Sequence, residues 1–117
     1  MNLEIDALED QLKDAKTLVK RRDAAVRLAS NRDFKSLILD EFCVQECARY
    51  AQNSANPALN ASDRADSLAI AQAAGHLRRY LSVVVQMGAV AEKEIGQIEE
   101  AIDEARSEEG LDDGDAN

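Results

Sequence analysis

From residue 70 onward, apolar positions fall at alternating steps of four and three: Ile70, Ala74, Leu77, Leu81, Val84, Gly88, Ala91, Ile95, Ile98, Ile102 and Ala105. A seam sustained over five such repeats belongs to a long helix that buries one narrow stripe against another helix. Earlier in the chain Ile5, Leu8, Leu12, Ala15, Val19, Arg22, Val26 and Ala29 form a second seam, interrupted only by Arg22. The spacing predicts a first helix over about 3–29. Ser30, Asn31 and Asp33 then offer side-chain oxygens suited to capping a new helix that opens on Phe34. That second helix, over 33–52, carries Leu37, Ile38, Leu39, Phe42, Cys43, Val44, Cys47, Ala48 and Tyr50 around most of its circumference. An all-round apolar helix is ordinarily a buried one, so this segment is expected to be the most buried of the chain.

The run NSANPALN, residues 53–60, gathers turn formers around the only proline, and Asn60 with Asp63 resembles a variant of the capping box. The chain is therefore expected to reverse there and to continue as a third helix over 61–106. Residues 1–109 make a single helical domain in this reading, followed by an acidic disordered tail at 110–117. Residues 5–52 and 61–106 give arms of nearly equal length, each about 70 Å at a helical rise of 1.5 Å per residue. The fold class that follows is all-α: a long, coiled-coil-like antiparallel hairpin whose first arm is broken near Asn31. Its register sets Lys13, Lys16 and Lys20 opposite Glu100, Gln97 and Lys93. The alternative is an up-down-up three-helix bundle with an overhanging C-terminal helix. In either topology Leu18, Val83, Val85 and Met87 lie off the main seam, which predicts a homo-oligomer or docking on a larger protein. Gly75 and Gly88 each weaken a helix by about 1 kcal/mol relative to alanine, and close backbone approach at the seam is the expected compensation.

Composition sharpens the picture. Apolar residues make up 45% of the 117, but alanine dominates and aromatics reach only 3%. Small side chains let helices approach closely while burying little area each, which suits a thin assembly completed by a partner. The net charge of −9 argues against direct nucleic-acid binding, because a dedicated phosphate-backbone binder carries a basic surplus. The sign is uneven: eight of the fourteen basic residues lie by Lys35, whereas Glu99 to Asp115 holds nine acids against Arg106 alone. No stretch approaches the roughly 20 apolar residues of a membrane span. Met1 to Asp10 is acidic rather than the basic start of an apolar signal. The expectation is a soluble protein made in the cytoplasm, with no membrane partner.

Candidate chemistry is sparse. Cys43 and Cys47, four apart on one helical face, supply two thiols where zinc wants three or four protein ligands, and the nearest soft donor, His76, belongs to another helix. Buried apolar cysteines are the simpler reading, and within one helix their spacing suits a disulfide poorly, which leaves an intersubunit disulfide as the redox alternative. His76 has no nucleophile and orienting carboxylate in a recognisable motif beside it. Arg78 and Arg79 next to Tyr80 read as a solvated face. Glu92, Glu99, Asp103 and Glu104 project from a regular helix rather than from the tight loops that hold hard cations. The expectation is no catalytic residue, no cofactor and no metal.

Four runs carry a likeness beyond composition: RRDAAVRLASNRDFKSLILDEF, ECARY, HLRRYLSVVVQMG and AEKEIGQIEEAIDEAR. In this order and spacing the chain resembles a family of small uncharacterised helical proteins encoded among the head and structural genes of tailed bacteriophages. The resemblance spans about residues 15–106. It is most specific at Asn31 to Leu39 and at Tyr80 followed by Gln86, Met87 and Gly88. In the resembled pattern a glycine and an aromatic stand at Glu41 and Phe42, and an acid-alanine pair near Glu46 and Cys47, so both cysteines are particular to this chain. The resemblance implies a phage protein of virion structure or assembly, and the residues independently predict a helical, non-enzymatic, oligomer-prone one. Its partners would be itself or a capsid, portal or tail protein, and it would pass from the host cytoplasm into the virion as a head, neck or tail accessory component. A scaffold-like or chaperone-like factor that leaves the particle is the nearest alternative. An acidic module that occupies the groove of a host nucleic-acid-binding protein is the other.

Overall fold

The computed structural model describes residues 2–115, with side chains from Asn2 to Gly110. Its elements are α1 (Leu3–Ser30), α2 (Arg32–Phe34), a π-helical segment π1 (Lys35–Glu46), α3 (Cys47–Ser54) and α4 (Ala61–Asp115). The fold is all-α. Each of the three helical stretches starts on an asparagine. The Asn2 carboxamide oxygen accepts from the amides of Glu4 and Ile5, that of Asn31 from Phe34, and that of Asn60 from Asp63. These bonds satisfy donors that the first helical turn leaves unpaired. Asn31, with φ −68° and ψ 127°, is the one extended residue between α1 and α2, so the break falls at the expected place.

The chain divides into two compact units. The first joins the residues up to Asp23 with those from Val85 onward. Within it α1 and α4 pair antiparallel, as Arg22 reaches Glu92 while Glu9 meets Arg106. Ile5, Ala15, Gly88, Ala91, Ile102 and Ala105 are its buried positions. The second unit, Ala24–Val84, holds the end of α1, the helical stretch from Arg32 to Ser54 and the first part of α4. There the Cys47 thiol donates to the Ala71 carbonyl at 3.5 Å, bringing α3 against α4 across the 55–60 turn.

All the α4 seam residues from Ile70 to Ala105 are buried or half-buried, and Ser67 extends the seam by one step. On α1 the seam holds from Ile5 through Arg22 and then departs from expectation: Val26 and Ala29 are exposed, and Ala25 is buried instead. From Ala24 onward α1 belongs to the second unit, where a different side of the helix is covered, so Ala25 and not Val26 is turned inward. No large side chain among the described residues is fully withdrawn from solvent. The buried positions of the two units are alanines, Gly88, Cys43, Ser67 and the aliphatics Ile5, Val84 and Ile102.

The stretch 34–51 is not the most buried segment. Cys43 is its only buried residue, while Leu37 is 59% exposed and Val44 52%. A single facing helix covers one side of an all-round apolar helix, and the remaining apolar positions stay in solvent. The inward positions are Phe34, Ile38 with Leu39, Phe42 with Cys43, Glu46 with Cys47, and Tyr50. That period is four residues, wider than the 3.6 of an α-helix, as i→i+5 hydrogen bonding widens the turn. Cys43 and Cys47 both lie on this face, and Cys47 meets α4 through the Ala71 carbonyl.

At the other end α4 continues to Asp115 rather than stopping near Arg106, and no described glycine adopts the positive φ of a helix-terminating cap. The last two residues of the expected tail lie outside the described residues. A Cβ on Gly75 would project into open space, with no atom within 4 Å, so close approach does not account for this glycine.

Candidate interaction surfaces

The closest approach in the first unit is at Gly88. A Cβ at this position would overlap the Arg22 Cβ and lie 3.0 Å from the Leu18 carbonyl oxygen. The apolar seam is interrupted at Arg22 because this side chain lies across the glycine and turns its guanidinium outward. There Nη1 donates to Glu92 at 2.6 Å, and Nε and Nη2 both donate to Asp23 at 3.1 Å. Hydrogen bonding to Glu92 and Asp23 holds the Arg22 guanidinium above its ordinary range and, reciprocally, holds Glu92 below the usual carboxylate value. Farther along, Arg106 donates to Glu9 at 2.9 Å. These pairs set a register shifted slightly from the one that placed Lys13, Lys16 and Lys20 against Glu100, Gln97 and Lys93.

The two flanks of this unit differ. One is charged: Glu9 and Leu12 join a concavity among Lys13, Lys16, Thr17 and Lys20 to another formed with Glu99, Asp103 and Arg106. The other carries a groove of about 310 Å³ lined by Leu18, Gln86, Met87, Val90, Ala91 and Glu94, most of whose surface is apolar. Sequence reasoning placed Leu18 and Met87 off the seam but missed Val90, whose step of three from Met87 repeats the seam's spacing one flank over.

In the second unit Cys43 and Cys47 are both free thiols facing inward, Cys43 buried and Cys47 half-buried. Burial pushes the Cys43 thiol above its ordinary range, against the weaker opposing influence of Arg78. An intersubunit disulfide would require this packing to open first, which removes the geometric basis for that expectation at Cys43. At the edge of the inward face of π1, the exposed Leu37 and Glu41 and the half-buried Ile38, Phe42 and Glu46 line a shallow apolar groove. Beside it Arg49 binds the Glu46 carboxylate through Nε at 3.0 Å and through Nη2, and stacks 4.3 Å from the Tyr50 ring centroid.

The other singled-out residues do not converge. His76, Arg78, Arg79 and Tyr80 are exposed along α4, and Tyr80 is engaged by an interaction of its own. Among the described residues no group of three or more His, Cys, Asp or Glu side chains is arranged to hold a metal ion. No helix among them is long and apolar enough to cross a membrane. What the arrangement offers chemically is apolar helix flank, graded by charge. No protein-family model, curated protein or solved structure is significantly similar to the chain.

Proposed function

We propose that this chain is a non-enzymatic structural or assembly protein of a tailed bacteriophage, a head, neck or tail accessory component that acts by helix packing on itself or on a capsid, portal or tail protein. The observation that carries the packing role is a mismatch within the helices. Alanines, Gly88 and a few aliphatics fill the seam, while Met87 and Val90 on α4 and Leu37 and Val44 on π1 remain in solvent. Large apolar side chains left open along helix flanks mark surfaces for a further helix. The phage assignment is supported by the four sequence runs and their spacing, and the solvated acids around the flanks suit a protein that must stay dispersed until it meets its partner.

Mass spectrometry of density-banded particles tests this reading. The chain is expected in mature virions at a fixed ratio to the capsid protein. Absence from virions and from their precursors would refute it. Presence in precursors alone would identify an assembly factor that departs.

A further inference from the structure

The groove of the first unit has a polarity of its own. Its middle is Leu18, Met87 and Val90, with Met87 42% and Val90 51% exposed, while a carboxamide, Gln86, marks one end and a carboxylate, Glu94, the other. Eight residues of α4 separate those ends, about 12 Å of helix. We propose that this groove seats a second copy of the same chain, with the two α4 helices antiparallel about a two-fold axis beside Val90. Reversal brings the Gln86 amide of each copy to the Glu94 carboxylate of the other, giving two reciprocal hydrogen bonds around a centre of Met87, Val90 and Leu18 side chains.

A parallel arrangement would instead set the two Glu94 carboxylates side by side across an apolar floor, where like charges are costly. The antiparallel one holds them about 12 Å apart, beyond the screening length of about 8 Å at physiological salt. The opposite flank, with its lysines and glutamates, would have to strip solvent from charged groups to do the same. A self-complementary patch of this kind closes as a dimer and does not propagate. The proposal rests on the reading of the chain as a helix-packing protein, and the two fail separately, because particle content and oligomeric mass are independent measurements.

The test uses the full chain, with light scattering after size exclusion and circular dichroism as the control for folding. The wild type is expected at twice the 12.8 kDa chain mass, and Val90→Asp at the single mass with helicity unchanged. Orientation is read by oxidation in a Cys43→Ser, Cys47→Ser background. Val90→Cys should cross-link into dimers. Ala101→Cys should not, since the two-fold axis would hold its copies about 33 Å apart. A wild type that stays monomeric at its solubility limit, a Val90→Asp chain that stays dimeric, or Ala101→Cys cross-linking as readily as Val90→Cys would each overturn the proposal.

Discussion

Arg22 lies so close to Gly88 that a methyl group on residue 88 would overlap the Arg22 Cβ. The atom in the way is attached to backbone, so the clash cannot be relieved by swinging a flexible side-chain end. Gly88→Ala should therefore destabilise the chain by about 1–3 kcal/mol through overpacking, despite the roughly 1 kcal/mol that alanine contributes to helix propensity. Gly96, in the same unit, faces open space. Gly96→Ala should raise stability by up to about 1 kcal/mol. Urea unfolding of both variants checks the pair, and the same sign for both would refute the assignment of Gly88 as the contact point.

The Arg22–Glu92 pair makes stability depend on acid. Glu92 is lowered from its ordinary value of 4.5, first by the Arg22 hydrogen bond and then by its charge. A carboxylate depressed in the folded state contributes stability above its unfolded value and loses it as pH falls through the folded one. Wild type should therefore exceed Glu92→Gln in thermal stability at neutral pH, and the gap should close below about pH 4.5. Because the Glu92 side chain is 63% exposed, added salt should narrow the gap as well. A gap that widens on acidification would exclude this pair as its source.

Thiol reactivity distinguishes the two cysteines. Cys43 is 5% exposed and its thiol is raised from the ordinary 9.0 by burial, so at pH 8 it carries little thiolate. In the native protein Cys47 should react with a maleimide or disulfide reagent well before Cys43, and both should react at once in denaturant. Single serine variants assign the phases. Rapid labelling of Cys43 in the folded chain would place it on the surface.

The α4 seam was legible in the sequence because in each unit α4 is covered along one side by a helix, which imposes one period, and every position from Ile70 to Ala105 obeys it. The change of face that exposes Val26 and buries Ala25 was not, since a heptad count assumes the same covered side along the whole helix, and from Ala24 the helix belongs to the second unit. The π segment was hidden for a related reason. Apolar residues at Phe34, Leu37, Ile38, Leu39, Phe42, Cys43, Val44 and Cys47 satisfy several periods at once, and only the facing helix selects among them. The groove at Val90 was half legible: Met87 was visible off the seam, but its continuation to Val90 and Glu94 emerges only when the flank shared with Leu18 is in view.

The sharpest contrast between apolar pattern and burial lies between Ile102 and Leu37. Both occupy apolar positions of long helices, yet Ile102 is 5% exposed in the first unit and Leu37 59% exposed in the second. Ile102→Ala removes atoms from a seam with little else to fill the space, and should cost about 2–3 kcal/mol, the lower part of the range for buried isoleucine because the surrounding core is thin. Leu37→Ala leaves water where water already was and should stay within about 0.5 kcal/mol. Denaturant midpoints at fixed protein concentration, with unchanged slopes, measure both. A Leu37→Ala loss as large as that of Ile102→Ala would mean that the outer side of π1 is covered in solution, and its dependence on protein concentration would then show whether another copy covers it.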